Sequence, residues 1–241
     1  MSINIPIIMN NVIIRLSGGA DSAILLYMIC DTYEKAETQL NLWPITVIHG
    51  VRNWQSYHAQ QVLDYMMEKF PDVNWKTHEV IKCMDPGGKP NNKNANNYVD
   101  DQESLIDKVV AEYAGSAAVF NGVTANPPEE IGQKYWGSSK VFGKKVWDVR
   151  EKHRDWKFIA DRKPIEDDSA RKLVHVNPFI QHHKGHVAKL YYDYGLIDDL
   201  LPLTRSCEGW DYMTANYSKT CGECWWCMER EWAFEDGYRS I

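Results

Sequence analysis

Apolar positions along the chain change period several times before residue 125. Asn11 to Leu16 (NVIIRL) is a short β-branched run that predicts a strand, and from Asp21 to Lys35 apolar residues recur at Ala23, Leu26, Tyr27 and Cys30, the spacing of a helix. Trp43 to Ile48 (WPITVI) is a second strand-type run, followed by His49, Gly50, Val51 and Arg52 and then a helical stretch from Ser56 to Phe70. Asn74 to Lys82 alternates through Trp75, Thr77, Glu79 and Ile81 and predicts a third strand. Asp85 to Asp101 (DPGGKPNNKNANNYVDD) is too rich in Gly, Pro and Asn for a core element and reads as a surface loop. Leu105 to Ala114 restores the helical period, Ala117 to Gly122 predicts a fourth strand, and Asn177 to Ile180 precedes a helix from about His186 to Tyr194. Strands alternating with helices predict an α/β, Rossmann-like parallel sheet with helices on both faces.

Composition narrows the class of protein. At 241 residues and 44% hydrophobic content, the chain can bury one good core, here expected over residues 1–200, with a small appended lobe over 201–241. A net charge of −6 gives no global pull toward nucleic acid or an anionic membrane. Residues 134–163 differ: ten Lys or Arg against four Asp or Glu give +6 locally and leave −12 for the rest, with Tyr135, Trp136, Phe142, Trp147, Trp156 and Phe158 interleaved. Such a segment suits a lid over a site, and less readily a surface that stacks bases and binds phosphates. No apolar run approaches the roughly 20 residues of a membrane span, and Met1 to Asn11 has no basic start, so a cytoplasmic protein without a membrane partner is expected.

One stretch carries chemistry near the start. After the first strand come Ser17, Gly18, Gly19 and Ala20, and the helix opens at Asp21 and Ser22. A helix opening leaves backbone N–H groups without intrahelical partners, backed by the positive end of the dipole, and such a point suits a phosphate. Adjacent glycines let the backbone approach an anion closely, and the hydroxyls of Ser17 and Ser22 offer further donors. No Lys follows the glycines as in a Walker A loop, and no third Gly sits where a dinucleotide fold needs it. The same residues would also suit a ligand-free turn, with Asp21 as a helix cap.

Four of the six cysteines crowd the C-terminal region: Cys207, Cys221, Cys224 and Cys227, spaced C-x13-C-x2-C-x2-C. In a reducing compartment that clustering favours metal over disulfides, and four thiolates complete a tetrahedral zinc site, with Gly222 easing the turn. An iron–sulfur cluster is the competitor, although no fourth Cys followed by Pro comes directly after Cys227. Cys30 and Cys83 stand alone and are expected to be inert thiols.

SGGADS resembles the SGGxDS loop of the PP-loop ATP pyrophosphatases, which cleave ATP between its α and β phosphates and pass AMP to a carbonyl oxygen. Within that group, residues 203–234 resemble the tail of the 7-cyano-7-deazaguanine synthases, T-x-S-C, a spacer, then C-G-x-C-x-x-C-x-x-R-x-x-A-F. This chain supplies Thr204, Ser206, Cys207, Cys221, Gly222, Cys224, Cys227, Arg230, Ala233 and Phe234 in register. His183, Lys184, Gly185 and His186 resemble the family's Thr-Lys segment, Gly50 and Arg52 its glycine and arginine after the second strand, and Gly122-Val123 its Gly-Val after the fourth.

The resemblance implies that Ser17, Gly18, Gly19, Ala20, Asp21 and Ser22 hold the leaving pyrophosphate with Gly50, Arg52 and Gly122 nearby. It implies that Asp21, Lys184 and Ser17 are catalytic, and that ATP, Mg²⁺ and Zn²⁺ are required. The implied reaction adenylates the carboxylate of 7-carboxy-7-deazaguanine and adds ammonia. An amide forms first, and a second adenylation gives a nitrile, 7-cyano-7-deazaguanine (preQ0), as in queuosine-type deazapurine biosynthesis. A homodimer is an expectation of the resemblance.

The match fails at two places. Asp100, Asp101, Gln102 and Glu103 stand where the family has Pro-Gly-Arg-Asn, and Asn126, Pro127, Pro128, Glu129 and Glu130 replace its Tyr-Pro-Asp-Cys-Arg segment. Ile48 replaces an Asp at the second strand's end. The readings therefore left standing are this ligase, a PP-loop enzyme adenylating a carbonyl in a nucleic acid or protein, and a non-catalytic zinc-ribbon binding module. His183 and His186, three apart on a helix, would suit a second metal or, more readily, a solvent-facing or substrate-lining role.

Overall fold

The computed structural model describes residues 3–48, 54–82, 97–128, 130–132, 173–207, 214–216, 218–239 and 241. Gly50, Arg52, Cys83, Glu129 and the basic segment 134–163 lie outside the described residues.

Among the described residues six parallel strands form one sheet: β1 (Asn11–Arg15), β2 (Asn41–Ile48), β3 (Asn74–Trp75), β4 (Glu79–Lys82), β5 (Ala117–Phe120) and β6 (Leu173–Val176). The order is β3-β2-β1-β5-β6, with β4 continuing along β2 beyond β3. Among the described residues the α-helices are α1 (Ala20–Lys35), α2 (Gln55–Lys69), α3 (Asn97–Val109), α4 (Lys184–Asp193) and α5 (Trp225–Trp232). The expected α/β class with helices on both faces is therefore observed.

The two faces follow from the two-residue period of each strand. Val12 and Ile14 of β1 pack with Ile24 and Leu25 of α1, Val62 and Leu63 of α2 and Val187 and Tyr191 of α4. Ile13, Trp43, Ile45, Val47 and Val119 pack on the opposite face against Leu105, Ile106 and Val109 of α3. Both faces of the central strands are buried, which is why NVIIR and NLWPITVI read as continuous apolar runs.

Two expectations are corrected and one strand is added. The segment from Asn74 to Lys82 is two short strands, interrupted where Lys76 donates its N–H to Leu42 O at 2.9 Å and leaves the ladder. The loop expected through Asp101 already gives way to helix at Asn97, and the helix ends in a wider turn over Val110–Ala114. Strand β6, Leu173–Val176, is an element that the sequence reading did not predict.

Chain order reverses between β1 and β5: the chain moves outward through β2, β3 and β4, then returns through α3 to lay β5 on the other side of β1. In an open parallel sheet this is where the carboxyl ends of neighbouring strands part and leave a crevice. Ile14 is fully buried in the layer that carries α1 to this point. Ile14→Ala is expected to cost roughly 2–5 kcal/mol in equilibrium denaturant unfolding, whereas truncating the exposed Tyr57 should change stability by less than about 0.5 kcal/mol.

Candidate functional site

A crevice of about 330 Å³ opens at the strand reversal, lined by the Ser17–Ser22 loop, Arg15, Gln102 and Asn121 among others. Leu16 ends its pairing by donating its N–H to Ile45 O at 2.9 Å, and the chain then turns. Gly18 takes φ +71°, and a Cβ there would stand 2.8 Å from Ala59 N and 2.9 Å from Gln55 O, so a side chain is excluded by conformation and by space. Gly19 is the N-cap of α1 and makes no side-chain cap bond. Asp21 therefore does not cap the helix.

The loop is braced from within. Ser17 donates its N–H to Ser22 Oγ at 3.2 Å, Gly19 its N–H to Ser17 Oγ at 3.3 Å, and Ser22 its hydroxyl to Gly19 O at 3.1 Å. Arg205 N–H donates to Gly18 O at 2.8 Å and Tyr191 OH to Ala20 O at 2.9 Å, pinning the loop from two distant segments. The two serine hydroxyls are thus turned onto the loop. The N–H groups of Ala20, Asp21 and Ser22, in the first turn of α1, are the ones helix geometry leaves for an external acceptor.

Asp21 and Lys184, 163 residues apart in sequence, meet here. Lys184 Nζ lies 2.8 Å from Asp21 Oδ2 and 3.9 Å from Glu229 Oε2, with Lys184 only 2% exposed and Glu229 fully buried. A buried ammonium persists only when paired, and these carboxylates supply the pairing. Asp21 Oδ1 is buried and accepts no hydrogen bond among the described residues, so it can receive a donor or a hard cation. Gly122, just past β5, abuts the loop: a Cβ there would sit 3.0 Å from Asp21 C and Ser22 N.

Sequence reasoning missed Arg15, Asn121 and Arg205. Arg15 closes the crevice on the α3 side, held by Gln102 at 3.1 Å and by an ion pair with Glu103. Arg205, 6% exposed, stacks its guanidinium over Trp54 at 5.7 Å and donates to Lys219 O at 2.6 Å. The Arg in TRSC was the available signal for Arg205; for Arg15 and Asn121 the signal lay in the strand register.

The Sγ atoms of Cys207, Cys221, Cys224 and Cys227 all lie within 4.8 Å of one another. Cys221 N–H donates to Cys207 Sγ and Cys224 N–H to Cys221 Sγ, each at 3.3 Å, the backbone-to-sulfur bonds that stabilise thiolates, and Gly222 takes φ +73° between them. Without a cation, hydrogen bonding to Cys207 and Cys224 and burial hold the Cys227 thiol strongly protonated. The donor set fits one metal ion or cluster and does not by itself choose between zinc and iron–sulfur. Trp225, 1% exposed, packs against Ile131, Trp226 and Met228 as the core of this region. Arg230 ties α5 back to the sheet side by donating to Thr204 Oγ1 at 2.8 Å and Leu201 O at 2.9 Å.

The histidines resolve differently from a metal site. His183 is the N-cap of α4, its Nδ1 accepting from Gly185 N–H at 3.1 Å, and its ring centroid lies 4.2 Å from that of His186. Burial, then the neighbouring His186, pushes His183 down to about 4, which keeps the ring in the neutral form that the cap needs. Among the described residues, the ligand grouping tight enough for a metal is the four cysteines. Cys30 is fully buried, and burial pushes its thiol far up, as an inert core thiol should be.

No family model matches the sequence, and no curated protein matches it. Among solved structures, the U34-tRNA thiolase NcsA from Methanococcus maripaludis with its [4Fe-4S] cluster is similar over 95% of this chain and 72% of that chain, at 15% identity and a TM-score of 0.47. The strand order and helix placement in themselves define a Rossmann-like parallel α/β protein, with a four-cysteine group that can bind metal. No described helix is long and apolar enough to cross a membrane.

Two outcomes follow from this geometry. Gly122→Ala should force the Asp21–Ser22 backbone to shift, since a Cβ there meets it at 3.0 Å, and lower the melting temperature by a few degrees while the circular dichroism spectrum is kept. The purified chain should carry metal at one site, read by elemental analysis and absorption. Cys224→Ser should abolish retention of that metal and lower the melting temperature.

Proposed function

We propose that the chain is an AMP-forming, ATP-dependent C–N ligase that adenylates the carboxylate of a deazapurine-type heterocyclic acid and adds ammonia. The observation that carries this reading is that Asp21 and Ser22, in the first turn of α1, line the crevice, with the Lys184 ammonium ion-paired to Asp21 Oδ2 behind them and Asp21 Oδ1 without a hydrogen-bond partner among the described residues. The intact tail motif from Thr204 to Phe234 supports the choice of acid.

A carboxylate resists attack because oxide is a prohibitive leaving group. In the proposed step its oxygen attacks the α-phosphorus of ATP, the new O–P bond forms, and the bond from that phosphorus to the α–β bridging oxygen breaks. Charge builds on the departing diphosphate, and donors already fixed in place stabilise it with little reorganisation. Ala20, Asp21 and Ser22 offer those N–H groups at the positive end of α1. Lys184, held by Asp21 and Glu229, places a cation beside them. Mg²⁺ accompanying ATP would offset the carboxylate charge, and the free Oδ1 of Asp21 fits such an ion. Ammonia then attacks the acyl carbon and AMP leaves with both electrons of the cleaved C–O bond, giving the amide. A second adenylation, on the amide oxygen, followed by loss of AMP and two protons gives the nitrile.

The test is incubation of the full chain with ATP, Mg²⁺, 7-carboxy-7-deazaguanine and ammonium, with nucleotides and product followed by liquid chromatography and mass spectrometry. AMP and pyrophosphate formed together with the amide or nitrile are expected; ADP and phosphate, or no acid-dependent nucleotide turnover, would overturn the reading. Lys184→Gln should lower kcat about 100-fold or more, with ATP binding weakened far less.

A further inference from the structure

The crevice holds a second set of unanswered polar atoms, on the α3 side of the sheet. Arg15 and Asn121 each follow directly on a paired residue, Ile14 on β1 and Phe120 on β5, in a parallel ladder. Successive side chains alternate between faces, so Arg15 and Asn121 leave the same side of the sheet as Ile13 and Val119, the α3 side, standing next to each other. Both line the crevice.

Each is held so that one edge stays free. The Arg15 guanidinium is fixed by Gln102 through one terminal nitrogen and by Glu103 through the other, while its Nε is buried with no acceptor among the described residues. Asn121 is 7% exposed, its backbone N–H is tied to Val176 O at 3.0 Å, and its buried Oδ1 receives no donor among the described residues. A buried donor and a buried acceptor without partners each carry a desolvation cost, which a ligand supplying the complementary atoms would recover. Glu103 also offsets the charge of Arg15, so the pair presents a neutral donor and acceptor more than a site for a bare anion.

We infer that Arg15 and Asn121 are a specificity pair that reads the lactam edge of an oxopurine-type base, Arg15 Nε–H donating to the ring carbonyl oxygen and Asn121 Oδ1 accepting the adjacent ring N–H. Gln102 and Glu103 are positioning residues for Arg15. The pair stands beside the place where the resembled family's arginine-bearing segment is replaced by Asp100 to Glu103, so base recognition shifts to the sheet ends. An aminopurine edge, with donor and acceptor reversed, leaves both protein atoms unanswered. Its rejection follows from the same desolvation cost. The inference rests on the acyl-adenylation reading for the presence of a heterocyclic acceptor; the edge preference itself is read without any turnover.

The experiment is titration calorimetry of the full chain, without ATP, against 7-carboxy-7-deazaguanine and its 6-amino counterpart, 7-carboxy-7-deazaadenine. The wild type is expected to bind the lactam compound about 30-fold or more tightly. Asn121→Ala and, as a variant that keeps the charge opposite Glu103, Arg15→Lys should each shrink that preference to a few-fold, mainly by weakening the lactam compound. Oligoribonucleotides carrying one unpaired guanosine or adenosine form the second arm: the same preference there, with no binding of the free acids, places the lactam in RNA and still supports the pair. Equal affinity for both edges in the wild type, binding of neither kind of probe, or a preference that survives both substitutions overturns the assignment. Lactam preference without AMP formation upholds the pair and counts against adenylation; AMP formation with both acids at equal efficiency does the reverse.

Discussion

A buried ammonium ion organises this molecule. Lys184 lies at the first position of α4, where the helix dipole opposes a cation, and it is almost wholly withdrawn from water. Only the Asp21 carboxylate at 2.8 Å, with Glu229 behind it, makes that placement tolerable. The pair therefore fixes where α4 meets the start of α1, whose residues Asp21 and Ser22 line the crevice. Because Glu229 lies two residues beyond Cys227 on the helix that follows the cysteine turn, the same pairing ties the metal-binding region to the phosphate-type loop.

A second strand of connectivity runs through the backbone. Arg205 donates to Gly18 two residues before Cys207, and Arg230 holds Thr204 and Leu201 from the other side. The four thiols, the segment 201–207 and the glycine loop are consequently one mechanical unit. A metal that locks the thiols would hold Arg205 against Gly18 and keep the loop's positive φ in place.

Much of this was legible from residue order alone where the cause is local. The NVIIR strand, the SGGADS turn and the helix after it are set by β-branched residues, paired glycines and apolar spacing within 25 positions. The cysteine quartet was legible because ligand number and reach constrain spacing. The start of α3 was hidden because an Asn-rich lead-in resembles a loop, and β6 because LVHV is only four residues long. Arg15 and Asn121 escaped notice because nothing in their neighbourhoods along the chain marks them; parallel pairing across 106 positions brings them side by side. The register of β1 against β5 is tertiary information, and so is the solitary donor or acceptor each residue keeps.

The central claim is that the first-turn amides of α1, backed by Lys184, receive the outgoing diphosphate. It is tested most directly by a crystal structure of the chain with α,β-methylene-ATP, Mg²⁺ and the heterocyclic acid. The account predicts β and γ phosphate oxygens within about 3 Å of the N–H groups of Ala20 to Ser22, with the α-phosphorus facing the acid's carboxylate. A triphosphate seated elsewhere, with those amides facing water, would contradict it.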